Sequence, residues 1–286
     1  MTITLNQQLL DLSTPRVMAI MNLTPDSFYD GGQLKNHEQL LAKVQQFIDE
    51  GASIIDLGGY STRPGAVNIS VEEEMSRVVP VVQLIREHFK NIPLSVDTFR
   101  SQVARSALEQ GASMVNDVSG ATADDLMLDL ISEYQVPYVG MHMRGTPQTM
   151  STLTDYQDIV FEIRYFFSTL AEKAAKRNIN DLIIDPGLGF SKTIAQNFHL
   201  LYHLDAFKLL DLPVLIGLSR KSMIYKTLNT TPENALNGSS ALHMAALERG
   251  AHLLRVHDVK EAQECIKLYT QLRDAASSYE IVPLKK

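Results

Sequence analysis

Short apolar runs alternate with longer amphipathic stretches along the chain. Three of the runs lie in segments that resemble one another: EGASIIDLGG from Glu50, QGASMVNDVSG from Gln110 and RGAHLLRVHDV from Arg249. Each reads as a helix end, a glycine, a short buried strand and a polar tip. Gly51, Gly111 and Gly250 stand where a helix needs a left-handed residue after its last turn. Five further runs read as strands: Arg16 to Asn22, Leu94 to Asp97, Pro137 to His142, Leu182 to Asp185 and Pro213 to Ser219. The clearest amphipathic stretch, Ser70 to Phe89, carries Met75, Val78, Val82, Ile85 and Phe89 at three- and four-residue spacing. Ser70 and Glu73 predict a capping box at its start, and Pro80 predicts a kink inside it. Eight strands alternating with helices over 286 residues predict an α/β fold, a (β/α)8 TIM barrel. A single domain is expected over 1–286, with its barrel core at about 16–275. An open doubly wound sheet fits less well: GLGFSK from Gly187 lacks the third glycine of a dinucleotide fingerprint, and no GxxxxGK[ST] occurs.

Composition narrows the partners. The chain is 45% hydrophobic and 21% charged, which suits one large core. A net charge of -7 gives no global support for binding nucleic acid or an acidic membrane, so an anion has to be held by local groups. Cys265 is the only cysteine, which excludes an intramolecular disulfide. The start, MTITLNQQLLDL, lacks the basic and apolar regions of a secretory leader, and no apolar run approaches the roughly 20 residues that span a bilayer. A reducing cytoplasm is the expected address. The NxS/T matches at Asn22, Asn68, Asn229 and Asn237 are then chance sequons.

Candidate chemistry collects at the ends of the strands. IIDLGGYSTRPG from Ile54 is a buried strand that breaks into a loop carrying Ser61, Thr62 and Arg63, a hydroxyl pair and a guanidinium suited to an anion. In order, the strand tips are Asn22, Asp56, Asp97, Asn116 with Asp117, His142, Asp185, Ser219 to Lys221, and Arg255 with His257, and together they predict one polar ring. Arg255 and His257, two apart on a strand, share a face and could straddle a phosphate. Asp185 ends an apolar strand before Pro186, Gly187 and Gly189, so its ionised form needs donors, and two parallel N–H groups would satisfy it. Gly217, Ser219 and Lys221 share one strand parity, which aims Lys221 into the mouth if the strand persists that far. Two weaker signals favour packing. HLLYH from His199 lacks the glutamate of HExxH, and alternation sends His142 to the opposite face from Met141 and Met143.

Taken together, MNLTPDSF from Met21, DLGGYSTRPGA from Asp56, SVDTF from Ser95, NDVSG from Asn116, MHMRGTPQTM from Met141, DPGLGF from Asp185, GLSRKS from Gly217 and RVHDV from Arg255 resemble the dihydropteroate synthase family. The resemblance runs from about Met18 to Val259. It implies condensation of a 6-hydroxymethyl-dihydropterin diphosphate with 4-aminobenzoate and release of pyrophosphate, with Mg²⁺ as cofactor. By motif, Asp185 and Asn116 would meet the pterin's amidine-like edge, Asp97 a ring nitrogen near the reacting side, and Lys221 the ring oxygen. Asp97, Lys221 and Arg63 would be the catalytic set. Thr62, Arg63, Arg255 and His257 match the diphosphate contacts, Asn22 the magnesium position, and Phe28, Pro64, Phe190 and Ser222 the walls of the aminobenzoate pocket. The resemblance also implies a homodimer. It implies as well that the loops at Asn22 to Gly32 and Gly58 to Gly65 close over the first substrate before the second binds. Three positions depart from the pattern: Tyr60 where glutamate is expected, and Ser191 and Tyr225 where glycine is common. The alternatives are a pterin-dependent methyltransferase, which handles no diphosphate, and a noncatalytic pterin-binding paralogue.

Overall fold

The structure, a computed structural model, describes residues 1–6, 8–23, 33–62 and 67–278, the side chains of 33–36 and 277–278 excepted. An antiparallel hairpin comes first, with β1 (Thr2–Leu5) paired to β2 (Gln8–Asp11). The predicted runs follow as parallel strands: β3 (Arg16–Asn22), β4 (Ile54–Gly58), β5 (Leu94–Asp97), β6 (Met114–Asp117), β7 (Tyr138–Met141), β8 (Leu182–Asp185), β9 (Leu215–Ile216) and β10 (Leu253–Val256). Their order is β8-β7-β6-β5-β4-β3-β10-β9, and a parallel bridge from Ile184 to Val214 joins the two end strands into a closed barrel. The strand predicted over Pro213 to Ser219 is thus cut to two residues. Beyond Ile216 the backbone turns, Lys221 N–H donating to Leu218 O at 3.1 Å and Arg220 taking φ +54°.

Helices flank the barrel: α1 (Gln33–Asp49), α2 (Val71–His88), α3 (Ser101–Glu109), α4 (Met127–Tyr134), α5 (Ile159–Ala175), α6 (Ile194–Tyr202), α7 (Ser222–Thr227), α8 (Leu236–Glu248) and α9 (Val259–Ser278). None among the described residues is long and apolar enough to cross a membrane. Helix α2 runs through Pro80 without a break, with the proline on the exposed face and Val78, Val82 and Ile85 buried. Only half of the predicted capping box forms. Ser70 Oγ accepts from Glu73 N at 3.1 Å, but the Glu73 carboxylate turns to Arg77 at 2.5 Å instead of to the cap. The three predicted helix stops hold. Gly51, Gly111 and Gly250 have φ of +98°, +106° and +99°, and the N–H of each following alanine reaches five residues back, as Ala52 N does to Phe47 O at 2.8 Å.

Strand alternation separates two apolar layers. Outward residues such as Val17, Ala19, Ile55, Leu57, Val96, Val115 and Ile184 join the inner faces of the helices in the main core. Inward residues Met18, Ile54, Met114, Val139, Ile183, Leu215 and Leu253 form a second cluster inside the barrel, closed by Ile3, Leu5 and Leu12 of the hairpin segment. Burying each such side chain stabilises the fold by about 1.5–3 kcal/mol. This cluster is the floor on which the polar residues stand.

Candidate active site

Two residues beyond Ile54, Met114, Ile183 and Leu253, on the same inward parity, stand Asp56, Asn116, Asp185 and Arg255. Ser95 and Asp97 complete the layer from β5. Arg255 binds two carboxylates at once, Nε to Asp56 Oδ2 at 2.7 Å and an Nη to Asp97 Oδ2 at 2.6 Å. The same Asp56 oxygen accepts from Asn116 Nδ2 at 2.9 Å. Burial works against the Arg255 charge, yet Asp56 and Asp97 outweigh it and raise its pKa. Burial pushes Asp97 up to about 7, opposed by the Arg255 guanidinium and reinforced by Asp56. Charged and neutral forms of Asp97 are therefore close in free energy near neutral pH.

The opposite wall pairs Asp185 with Lys221. Asp185 Oδ1 accepts the Gly187 N–H at 2.8 Å, and burial raises its pKa against the pull of Lys221 and that N–H. Lys221 caps α7, donates to Leu188 O and lies 4.6 Å from the Phe190 ring centroid; burial pushes it down to about 8, opposed by Asp185. Gly217 keeps this corner open. A Cβ there would stand 3.8 Å from Lys221 Nζ and 3.9 Å from Asp185 Oδ2, filling the space between acceptor and donor. A Cβ at Gly58 would likewise stand 3.6 Å from Asp97 Oδ2 and 3.9 Å from Asn22 Oδ1. Above the polar layer, Val118, Met141, Met143 and Met150 pack with Phe99 and Phe190 into an apolar shelf.

The β8–α6 turn is held from behind by Lys192, which is buried and donates to Gly187 O and Phe190 O, both at 2.9 Å. Burial pushes its pKa down to about 7. His142 lies 3.3 Å from the same ammonium and packs edge-on against Phe166; burial and then the Lys192 charge hold it down at about 2, so it is neutral. Ser191 takes the left-handed φ of +46° that suits the glycine common at that position. Its hydroxyl compensates by accepting the Arg144 N–H at 3.1 Å.

Around the second loop, Tyr60 is buried edge-on to Phe99 and hydrogen-bonded to Asn68 and Gln148. Arg100 ties down the returning chain, donating to Ile69 O at 2.7 Å and to the buried Glu74 carboxylate at 2.8 Å. Where the family pattern has a glutamate, the tyrosine thus joins an aromatic and polar cluster that links the second loop to the β5–α3 and β7–α5 loops.

A family model described as pterin binding enzyme matches residues 18–257. Dihydropteroate synthase of Synechocystis is 44% identical over 255 residues, 88% of this chain and 88% of that protein. The Escherichia coli K12 enzyme of the same name is 44% identical over 264 residues, 91% of this chain and 92% of its own. The chain belongs to the dihydropteroate synthase family of pterin-binding enzymes. Solved members share its barrel. A Yersinia pestis dihydropteroate synthase with a sulfonamide drug complex superposes with a TM-score of 0.88 at 40% identity, covering 96% of this chain and 100% of that one. The Xanthomonas albilineans enzyme with 4-aminobenzoic acid gives 0.87 at 40%, covering 95% and 98%.

Of the residues predicted from the family's motifs, Asp97, Asn116, Asp185, Lys221 and Arg255 come together in this mouth, with Phe190 on its shelf. Asn22 ends β3 beside them, and Ser222 is the half-buried first residue of α7. His257 is exposed, its Nδ1 3.2 Å from Ser219 Oγ, and Thr62 is half-buried. Phe28, Arg63 and Pro64, with 24–32 of the first glycine loop and 63–65 of the second, lie outside the described residues, and the predicted loop closure falls on them. Three expectations are corrected. Asp117 faces away from the mouth and binds Tyr138 OH at 2.8 Å and the Ser119 N–H at 2.7 Å, because its neighbour Asn116 holds the inward parity. His142 leaves the ring for the same reason. Lys221 does reach the mouth, but from a helix cap after a turn and not by strand parity. Sequence reasoning gave no role to Lys192, although it closes the DPGLGFSK run, nor to the Glu74, Thr98 and Arg100 cluster, in which Glu74 comes from α2, more than 20 residues before the other two.

Proposed function

We propose that this chain condenses (7,8-dihydropterin-6-yl)methyl diphosphate with 4-aminobenzoate to 7,8-dihydropteroate and pyrophosphate. The observation that carries this reading is one barrel mouth in which Asp97, Asn116 and Asp185 offer acceptors and Lys221 a donor beside an apolar shelf. A flat heterocycle with donors on one edge and a carbonyl on another satisfies all four, whereas an unmatched buried group would cost about 1–3 kcal/mol. The C–O bond to the diphosphate breaks first, and the electron-rich dihydropterin delocalises the positive charge at the methylene carbon. The ionised Asp97 carboxylate lowers the energy of that cation, and the aminobenzoate nitrogen then forms the new C–N bond and loses its proton. No protein nucleophile takes part. Asp56 and Asp97 already hold Arg255, so a diphosphate arriving there competes with two carboxylates, and Arg255 by its mere presence no longer argues against a pterin-dependent methyltransferase. Against that alternative stand the relatives named above.

The Asn22 and Asp97 side-chain oxygens, which both lie by the bare Cα of Gly58, suit a hard cation held mainly by phosphate oxygens and water. Asn22 would hold Mg²⁺, which would neutralise the leaving diphosphate. We also propose a homodimer in a reducing cytoplasm, which suits the single, buried and unpaired Cys265. The test is turnover of purified protein with the pterin diphosphate, 4-aminobenzoate and Mg²⁺, followed by pyrophosphate release and omitted-metal controls. Turnover is expected. Tight pterin binding without turnover would instead support the noncatalytic paralogue.

A further inference from the structure

Asp56 is fully buried in the same layer as the pterin-facing residues, and the reaction as proposed does not use it. Its Oδ2 accepts from Asn116 Nδ2 at 2.9 Å and from Arg255 Nε at 2.7 Å. A carboxylate beside a guanidinium only accepts, so it turns the NH2 branch of the Asn116 amide inward. Oxygen and nitrogen diverge from one planar carbon, so the carbonyl branch is directed away from Asp56, toward the mouth. Left free, that amide could present either a donor or an acceptor to a ligand. We infer that Asp56 is a positioning residue that fixes Asn116 as an acceptor, so that with Asp185 the pocket floor reads a ligand edge bearing two N–H donors. This rests on the pterin reading above and adds to it the residue that sets the polarity of one corner. A purely structural role for Asp56 would be to balance the Arg255 charge, and the two roles separate under substitution.

In Asp56→Asn the charge is lost, but Arg255 Nε–H needs an oxygen and would hold the new amide with its carbonyl where Oδ2 stood. Asn116 should keep its orientation. In Asp56→Leu the acceptor itself is gone. In Asp56→Leu with Asn116→Asp, position 116 offers an oxygen whichever way it turns. Affinity for 6-hydroxymethyl-7,8-dihydropterin, measured by calorimetry, should stay within about threefold of wild type for Asp56→Asn and fall at least tenfold for Asp56→Leu. It should return to within about threefold in the double variant. The Asn116 side-chain amide, assigned in NMR spectra by its loss in Asn116→Asp, should exchange slowly with solvent in wild type and Asp56→Asn, and at least tenfold faster in Asp56→Leu. The inference is overturned if Asp56→Leu matches wild type in affinity and exchange, if Asp56→Asn loses as much affinity as Asp56→Leu, or if the double variant binds no better than Asp56→Leu. If the exchange pattern holds while wild type fails to bind the dihydropterin, the fixed amide stands and the pterin reading falls.

Discussion

The floor and the mouth of this barrel are built by the same strands, one inward step apart, and they obey opposite rules. On the floor, Ile54, Met114, Ile183 and Leu253 cluster with other apolar residues, among them Ile3 and Leu5 of the hairpin. In the mouth, Asp56 is bonded to Asn116 and Arg255, and the carboxylates of Asp56 and Asp185 are buried too, though burial disfavours the ionised form of Asp185. Stability and chemistry are therefore stacked along one axis. The floor gains free energy from enclosure, and the mouth keeps groups that pay for it in raised and lowered pKa values.

The largest expected effect is from Arg255→Ala, which leaves Asp56 and Asp97 buried without their cation. Breaking such a set costs about 3–5 kcal/mol, and the loss in urea midpoint should shrink on going from pH 8 to pH 5 as Asp97, whose pKa burial already raises, is protonated. The diphosphate substrate should also weaken more than an uncharged pterin, and equal weakening would confine Arg255 to a structural role. On the floor, Leu253→Ala should cost about 2–5 kcal/mol of stability and leave the KM for both substrates within about twofold. A large KM change there would blur the division between the layers.

Asp185→Asn should do the reverse. It removes a carboxylate whose pKa burial already raises, so the urea midpoint should hold or rise, while pterin affinity falls by about 1–3 kcal/mol, roughly five- to 160-fold. Affinity within twofold of wild type would take Asp185 out of the site. The smallest effects concern pH. Asp97 binds its proton more tightly in the folded state, at about 7, than the unfolded value of 3.8, so it lowers stability as pH rises between those values and at full strength above them. Asp97→Asn should flatten that decline. For kcat/KM, ionised Asp97 and protonated Lys221 predict a bell with limbs near 7 and 8, and Lys221→Arg should move only the alkaline limb upward.

Much of this was legible because the signals are local. Period-two burial, polar tips and the glycines after α1, α3 and α8 each depend on a few neighbouring residues, and they gave the strands and the ring. What escaped depends on contacts distant in the chain. The TITL and QLLD strands are too short to stand out, and their inward residues make sense only once Leu215 and Leu253 supply a floor. Lys192 carries no local signal of a role, and its place becomes plain only when the fold sets His142, fifty residues earlier, 3.3 Å from its ammonium. The left-handed turn at Arg220, secured by its ion pair with Asp258 at 2.8 Å, cut β9 short and rerouted Lys221, against any inference from parity.

The hairpin that closes the floor also constrains the order in which the chain can assemble. Its apolar face docks on a cluster completed by Leu253 in β10, more than 200 residues further along. Until that strand is synthesised and joined to β3, the surface that buries Ile3 and Leu5 is incomplete, and they travel on a partner-seeking hairpin with free edges. Contacts of such sequence separation are slow to form because the loop between them has to close first. Docking of the hairpin should therefore be a late event in folding, and protection of the Ile3 and Leu5 amides from hydrogen exchange should lag behind that of β4 and β5.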